Sequence, residues 1–403
     1  MKDVHIAIFN TATPVHVNPT LSVVCTLIRR GYRVTYVTSE RFASRISAIG
    51  AEVLRCPRFA PAHTQPNVDD TLPIEEQFAT SHIDMASRTL KLVSSFYERN
   101  VPTLVMYDMF AFAGQLLAKQ FGIPAIRITP HLAYDPEYLN LTVVPPRFRQ
   151  LVLDFSGDVD GFFRDHGVVE TGLLFDRQQK TLFFYLEQLQ LGEHVKNGNL
   201  YAPRCAGEHP TFGVWKSRCT DRRRSALISA SMGFQQGPGY YRMCAEVTSM
   251  LQWHSVLAIG SNNTAGDFYE LPPNCEIFDT LPQIMVMPHV NLLICLGGMT
   301  TTMEAMYHSL PLLMLTHGEP EAELYAENIQ NHGLGIHLKG NMVTSDRIKE
   351  GILQISRDGE LQERVKMTGQ LVRQSPGSED VVNWIEDYLE KRDAACTGLA
   401  GQE

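Results

Sequence analysis

The stretch LGGMTTTMEAM, residues 296–306, joins an apolar run to a helical pattern through two adjacent glycines. A glycine-rich turn lets the backbone approach an anion, and the helix that follows offers free N–H groups and a partial positive charge. This order of strand, turn and helix predicts a phosphate-binding loop in an open α/β sheet. Leu296 cannot donate a hydrogen bond to an oxyanion, so the loop keeps the shape of a phosphate site and loses part of its chemistry.

Strand and helix patterns alternate along the rest of the chain. In the first half they fall at residues 4–9, 19–30, 103–108, 111–121 and 125–129. A second series opens with SALISASM at 225–232 and reaches LPLLMLT at 310–316. Such alternation indicates right-handed βαβ units and parallel sheets. The sequence therefore predicts two open α/β domains in tandem, with a ligand cleft at the carboxyl ends of their strands.

The domain boundaries follow from composition. A polar stretch with scattered Gly, Pro and Arg, residues 206–224, separates the two series of strands. We expect an N-terminal domain over 1–205, this linker over 206–224, a C-terminal domain over 225–380, and a helix end with a polar tail over 381–403.

Length and charge narrow the class of protein. With 403 residues, 44% of them hydrophobic and 20% charged, the chain has the composition of a soluble enzyme. The apolar run near the N-terminus has only strand length, so we expect a cytoplasmic protein without a membrane span. A net charge of −9 without a long basic run argues against nucleic acid as a partner. The eight cysteines lack a CxxC pair, so we expect neither disulfides nor zinc.

His16 is the first candidate catalytic residue. It follows the first strand and comes just before Asn18 and Pro19, which have the residue types of a helix N-cap and first helical position. A histidine in that loop faces the cleft, and an imidazole titrates near neutral pH, as a general base must. The alternative is an ordinary loop histidine bonded to the backbone.

Asp108 is the second candidate, because it ends the strand predicted at residues 103–108, at the same edge of the sheet. A carboxylate there can orient His16 and stabilise its imidazolium. The alternative role is a helix N-cap.

Several motifs together make the chain resemble the bacterial macrolide and natural-product glycosyltransferases, nucleotide-sugar-dependent enzymes of the GT-B fold. The resemblance runs from HIAIFN at the start to GLGIHL at 333–338. It is carried by HVNPTL at 16–21, GYRVTYVTSERFA at 31–43, YDMFAFAGQLLAKQFGIP at 107–124, LPQ at 281–283, and GGM with TMEAM around 297–306. It implies two Rossmann-like domains facing each other across a cleft, the first binding the acceptor and the second the nucleotide sugar.

The resemblance also implies roles for the two candidates. The family's histidine that matches His16 deprotonates the acceptor hydroxyl, and the aspartate that matches Asp108 holds that histidine. Attack on the anomeric carbon then inverts its configuration. No metal or other cofactor is required, and a nucleotide-diphosphate sugar is the co-substrate.

The second domain, to which the resemblance assigns the nucleotide sugar, departs from the family pattern. The residues that match donor-binding positions are Gln283, Gly297, Gly298, Thr300, Thr301, Glu304 and Glu321. Leu296 replaces the family's histidine, Ser231 and Met232 replace a glycine and a hydroxyl residue, and Ala322 replaces the glutamine of an acidic-Gln pair. Glu304, whose counterpart holds the ribose, also fits a capping box that begins at Thr301.

Acceptor recognition is expected in the first domain, in long loops between about residues 58 and 90 and between 130 and 170. The candidate lining residues are His131, Tyr134, Phe162 and Phe163. Ordinary packing under long loops is the alternative for each. The triplet Asp158-Val159-Asp160 has the form of a metal-binding DxD motif, but we interpret it as a surface loop.

Three functions remain open. The leading one is inverting transfer of a sugar to a hydroxyl of a hydrophobic, polyketide-like small molecule, with His16 as base. The second is the same fold repurposed for cyclisation, elimination or isomerisation without a nucleotide sugar, which explains a retained dyad beside an altered phosphate site. The third is an inactive binding or partner subunit. Whether the chain forms a homodimer stays open.

Overall fold

The computed structural model describes residues 4–56, 74–133, 139–141, 144–176, 178–192, 198–217, 224–230, 236–260, 263–268 and 271–399. Tyr134, Ser231 and Met232, singled out above, lie outside these ranges. The chain divides into two compact units. The first holds the residues up to Cys205 together with those from Pro376 onward, and the second is Ala206–Ser375.

Seven parallel strands form the sheet of the first unit, in the order β3-β2-β1-β4-β5-β6-β7. They are β1 His5–Phe9, β2 Arg33–Thr38, β3 Glu52–Arg55, β4 Leu104–Asp108, β5 Ala125–Thr129, β6 Thr181–Phe183 and β7 Leu200–Tyr201. The strand order reverses between β1 and β4, where Phe9 lies opposite Tyr107. The carboxyl ends of these two strands therefore meet at a topological switch point, the usual place for a ligand in such sheets.

The helices that cover this sheet in the first part of the chain are α1 Pro14–Arg29, α2 Glu40–Ala48, α3 Ile74–Arg99, α4 Phe112–Phe121 and α5 Pro146–Asp165. Helix α1 begins earlier than predicted, with Thr13 as N-cap and Pro14 in its first turn, and Pro19 lies inside it. The prediction of a helix start at Asn18 was wrong because Thr13-Pro14 carries the same pair of signals five residues earlier. His16 thus lies in the first turn of a helix and not in a loop.

The second unit repeats the architecture with parallel strands in the order β10-β9-β8-β11-β12-β13. They are β8 Ser225–Ser229, β9 His254–Ala258, β10 Cys275–Phe278, β11 Leu292–Cys295, β12 Leu312–Thr316 and β13 Gly335–Lys339. The helices are α6 Arg204–Gly207, which spans the unit boundary, α7 Pro238–Met250, α8 Gln283–Val286, α9 Met299–Tyr307, α10 Pro320–Asn331, α11 Ser345–Arg357 and α12 Gly359–Gln374. The predicted α/β class with two Rossmann-like sheets is confirmed.

The last helix, α13 Ser378–Leu399, belongs to the first unit and packs along α1. Glu379 pairs with both Arg29 and Arg30, and Glu386 accepts from Arg30 Nη1 at 3.0 Å and from Tyr32 Oη at 2.7 Å. The helix that carries His16 is therefore held on its outer side by a cluster of ion pairs.

Within the described ranges, no helix is long and apolar enough to cross a membrane. The cysteines of the same ranges, Cys25, Cys56, Cys205, Cys244, Cys275 and Cys295, form no disulfide with one another.

Candidate active site

His16 and Asp108 meet at the switch point of the first sheet. The first turn of α1 carries the imidazole and the last residue of β4 carries the carboxylate, and His16 Nδ1 lies 2.6 Å from Asp108 Oδ2. Both side chains are buried, with exposed fractions of 6% and 1%. The structure thus brings the two predicted residues into direct hydrogen-bond contact.

Asp108 has donors on both carboxylate oxygens. Thr11 Oγ1 donates to Oδ1 at 2.6 Å, and the backbone N–H of Phe110 donates to the same oxygen at 3.1 Å. Burial alone raises the pKa of the Asp108 carboxyl, but the His16 imidazole and these donors outweigh it and hold that pKa below its usual range. An ionised carboxylate only accepts, so His16 Nδ1 carries the proton. The lone pair of a neutral His16 is therefore on Nε2.

Asn10 fixes the backbone of His16, a contact that sequence reasoning missed. Its Nδ2 donates to the carbonyl of His16 at 3.0 Å and to Tyr36 Oη at 2.8 Å. Tyr36 Oη also pairs with Thr20 Oγ1 at 2.8 Å. A polar residue placed directly after the apolar run of β1 is the signal in the sequence that could have revealed this role.

His131 lies against His16. It follows β5 in the chain, and its Nε2 lies 3.2 Å from His16 Nε2, with the ring centroids 4.9 Å apart. Phe110 flanks both imidazoles, at centroid distances of 5.9 Å from His16 and 5.5 Å from His131. We predicted His131 as a lining residue of the acceptor site, and the structure places it within reach of the predicted base.

A small, largely apolar cavity opens beside the dyad within the first unit. Its lining includes Asn10, Thr11, Cys56, His82, Met85, Ala86, Thr89 and Phe110. His82, on α3, packs against Phe110 at a centroid distance of 5.1 Å and was not recognised in the sequence. The walls of the cavity are thus mostly apolar, with a few polar side chains. One of these is Thr11, which donates to Asp108 and so connects the cavity to the dyad.

Phe162 and Phe163 lie in helix α5 and not in a loop, so that part of the prediction was wrong. Phe163 is fully buried and packs near Phe112 at a centroid distance of 6.4 Å, whereas Phe162 contacts His166 at 4.6 Å. Neither is in the lining of the cavity beside the dyad. The apolar face of an amphipathic helix explains both positions.

The Asp158-Val159-Asp160 triplet also lies in α5, so the surface-loop interpretation was wrong. The Asp160 carboxylate accepts from the backbone N–H groups of Gly172 at 2.8 Å and Leu173 at 3.3 Å. It therefore caps the next turn of chain. In the part of the chain that the structure describes, no cluster of three His, Cys, Asp or Glu side chains could hold a metal.

The predicted phosphate loop of the second unit has the expected backbone. Gly297 adopts a φ of +84°, and a Cβ there would lie 3.1 Å from Met314 Sδ. Gly298 is the N-cap of α9, which begins at Met299. Leu296 is only 2% exposed and packs into the core, so its side chain adds no donor to the turn.

The threonines after this turn differ in their surroundings. Thr300 is buried and Thr301 is half-buried. The hydroxyl of Thr302 donates a hydrogen bond to the carbonyl of Gly298 at 3.0 Å.

Glu304 does not form the predicted capping box, because α9 begins at Met299 and places Glu304 in the second turn of the helix. Its Oε1 lies 3.3 Å from His209 Nε2, and the two side chains are 7% and 8% exposed. His209 was missed because it falls in the stretch that we interpreted as a linker.

The remaining donor candidates have partners inside the second unit. Gln283 Nε2 donates to Ser229 Oγ at 2.7 Å, which ties α8 to the end of β8. Glu321 accepts from Tyr325 Oη at 2.8 Å. Glu319, the N-cap of α10, accepts from the backbone N–H of His317 at 2.7 Å and from Gln236 Nε2 at 3.2 Å. Sequence reasoning overlooked Glu319, although Pro320 directly after it has the residue type of a first helical position.

Known proteins resemble this chain in sequence and in fold. Residues 247–387 fit the family described as erythromycin biosynthesis protein CIII-like, C-terminal domain. Demethyllactenocin mycarosyltransferase of Streptomyces fradiae is 28% identical over 401 residues, covering 96% of this chain and 86% of that protein. Over most of its length the chain is similar to macrolide glycosyltransferases.

Two further proteins resemble nearly the whole chain. The NDP-glycosyltransferase YjiC of Bacillus licheniformis is 26% identical over 408 residues, covering 96% of this chain and 98% of the relative. The crystal structure of CalG4, the calicheamicin glycosyltransferase, superposes with a TM-score of 0.73 at 26% identity, over 97% of this chain and 99% of that one. The predicted resemblance to natural-product glycosyltransferases, the GT-B fold and the glycosyltransferase-like enzyme class are confirmed by these likenesses.

Proposed function

We propose that this glycosyltransferase transfers a sugar from a nucleotide-diphosphate donor to a hydroxyl of a hydrophobic small molecule, with inversion at the anomeric carbon. The buried hydrogen bond of 2.6 Å between His16 and Asp108 carries the proposal. It holds the imidazole in the tautomer that leaves Nε2 basic, which is the arrangement that a general base requires.

The reaction proceeds in a single displacement. His16 Nε2 removes the proton of the acceptor hydroxyl while the oxygen attacks the anomeric carbon. The bond from that carbon to the diphosphate breaks, and the nucleoside diphosphate leaves with the bonding electron pair. Asp108 stabilises the imidazolium that forms, because its carboxylate is already ionised and hydrogen-bonded to Nδ1.

The acceptor class rests on the cavity beside the dyad. Its walls are mostly apolar, from β1 and α3 and from the residues that follow β4. His82 and Phe110 offer aromatic surface close to the base. Sites of this composition suit a hydrophobic ligand held by few polar contacts. The Streptomyces fradiae relative, named for transfer to demethyllactenocin, supports a natural-product acceptor.

The donor site is proposed at the turn before α9. The left-handed Gly297 and the free N–H groups at the start of α9 retain a cradle for phosphate. Glu304 is the proposed ribose ligand, and its carboxylate contacts the imidazole of His209. No metal takes part in this proposal, since helix N–H groups supply the charge stabilisation.

A second candidate function rests on Leu296. Its burial leaves the turn without the side-chain donor that the family resemblance implies, while the dyad stays intact. This combination also fits acid–base chemistry on the acceptor alone, such as cyclisation, elimination or isomerisation. A catalytically inactive subunit is disfavoured by the same intact dyad.

One experiment separates the candidates. The purified protein is incubated with 4-methylumbelliferone or a macrolide aglycone and with UDP-, TDP- or GDP-hexose, and products are measured by mass spectrometry. A mass gain of one hexose residue, absent with His16→Ala, supports sugar transfer, and NMR of the anomeric proton tests inversion. Conversion of the aglycone in nucleotide-free buffer, with unchanged mass or loss of water, would show the second function instead. Calorimetric titration with UDP, TDP and GDP tests the donor site directly.

A further inference from the structure

The only basic lone pair left to a neutral His16 points to a second histidine. His16 Nδ1–H donates a hydrogen bond to Asp108, and His131 Nε2 lies 3.2 Å from His16 Nε2. That is hydrogen-bond distance for two nitrogens. The atom that should receive the acceptor proton is therefore already in contact with a side chain of the enzyme.

The proton count of this contact is fixed by chemistry. Two lone pairs that face each other at this distance repel, so one proton must lie between the two Nε2 atoms. With His16 neutral, that proton belongs to His131, and His131 Nε2–H donates to His16 Nε2. In the resting enzyme Asp108, His16 and His131 thus form a continuous chain of hydrogen bonds.

The position of His131 is determined by the fold around it. Its backbone N–H donates to Thr129 Oγ1 at 3.0 Å. Two residues further on, the N–H of Ala133 donates to Gln190 Oε1 at 3.0 Å, and Gln190 Nε2 donates back to the carbonyl of Ala133 at 3.3 Å. Gln190 Oε1 in turn accepts from Tyr185 Oη. The turn that presents His131 is therefore anchored before and after the imidazole.

We propose that His131 is a positioning residue. In the absence of acceptor its Nε2–H donates to His16 Nε2, and this hydrogen bond breaks when the acceptor hydroxyl binds to His16 Nε2. The contact holds the His16 ring in its reactive orientation while the site is empty. An acceptor must exchange one hydrogen bond for another, so its apparent affinity is lower than the cavity alone would give. This inference rests on the proposed function, in which His16 Nε2 takes the hydroxyl proton.

The matched variants are His131→Phe and His131→Gln. Phenylalanine keeps a ring against Phe110 and removes the hydrogen bond, whereas the glutamine amide reaches a similar point and restores an N–H donor. The net value of a neutral hydrogen bond corresponds to about twofold to tenfold in a binding constant. We expect His131→Phe to bind 4-methylumbelliferone more tightly by about that factor, lowering KM with little change in kcat. His131→Gln should stay close to wild type.

The deciding measurement needs neither donor nor turnover. Protein labelled with ¹⁵N at its histidines is studied by side-chain NMR near neutral pH, and the His16 signals are identified by their loss in His16→Ala. We expect the Nε2 resonance of His16 to move in His131→Phe and to return toward the wild-type position in His131→Gln, while Nδ1 stays protonated. Thermal melting checks that both variants fold.

Two results would overturn the inference. An unchanged His16 Nε2 resonance in His131→Phe would show that the two imidazoles do not share a proton. A loss of kcat of tenfold or more in His131→Phe at unchanged KM would make His131 a proton relay instead. Failure of sugar transfer in the wild type would refute the proposed function but leave the NMR result as a separate test of the contact.

Discussion

The side-chain amide of Asn10 donates to the main-chain carbonyl of His16 over 3.0 Å. The same amide nitrogen donates to Tyr36 Oη, and burial raises the pKa of that phenol, which keeps it protonated. The first turn of α1 is thereby connected to β2 through one buried amide, and the orientation of the imidazole depends on it.

Asn10→Ala should lower kcat by about tenfold with a small effect on acceptor KM, because a misplaced base costs rate more than ground-state binding. Steady-state kinetics with a fluorescent phenol measures both constants. Thr20→Val is the control, since it removes one partner of Tyr36 and leaves the bond to His16 in place. Equal kcat for Asn10→Ala and wild type would contradict the assigned positioning role.

His16→Ala should reduce turnover by about 10²–10⁴ while leaving the fold intact, since general-base catalysis typically contributes that factor. Circular dichroism and melting temperature test the fold. His166→Ala is the matched control, because the His166 imidazole forms a local hydrogen bond within its own helix, to the carbonyl of Phe162. Near-wild-type turnover of His16→Ala would refute the assignment of His16 as the base under both enzymatic functions.

Asp108→Asn should lower kcat by at least tenfold and leave acceptor binding nearly unchanged, because the charge of Asp108 matters most once the imidazolium forms. The amide keeps the size of the carboxylate but cannot accept hydrogen bonds on both of its terminal atoms. Isothermal titration with the acceptor separates binding from rate. Should the Asp108→Asn variant retain wild-type kcat, Asp108 would have only a structural role.

His209→Leu should destabilise the second unit, because it leaves the buried Glu304 carboxylate without the partner at 3.3 Å. An unmet buried polar group costs about 1–3 kcal/mol. Urea unfolding of His209→Leu, Glu304→Gln and the double variant gives the coupling between them. Additive effects of the two single changes would show that the pair contributes no interaction energy.

Acid should destabilise the protein in part through His5. Burial, assisted by the positive charge of Arg33, lowers the pKa of His5 to about 4 from 6.5. In this pH range His5 is therefore protonated in the unfolded chain but not in the folded chain. The free energy of unfolding falls as the pH drops from about 6.5 toward 4. In His5→Gln the decline of melting temperature over this window should be shallower, with no change in slope above pH 7. An identical slope in both proteins would contradict this assignment.

Strand positions were the part of the fold that sequence predicted best. Strand β5 falls on AIRIT at 125–129 as predicted, and Asp108 ends β4 as predicted. Both strands are apolar runs between clear breaks, so local pattern is sufficient to locate them. The start of α1 was missed because two Pro-containing capping signals lie only five residues apart.

The side-chain network of the site was harder to predict because its partners are distant in sequence. His209 and Glu304 are separated by 95 positions, and His16 and His131 by 115. The pairing of Glu379 with Arg29 spans 350 positions. The periodicity of apolar residues along the sequence does not predict such contacts, because they depend on which strand ends become neighbours in the folded sheets.

Helix α13 has a consequence for recombining this protein with its relatives. The first unit includes the residues from Pro376 onward, which follow the second unit in the chain. A chimera made by a single crossover near residue 206 would therefore join the α1 of one parent to the α13 of the other and mismatch the Arg30–Glu386 pair. A functional exchange of the second unit needs two crossovers, so that α13 travels with the parent whose His16 helix it supports.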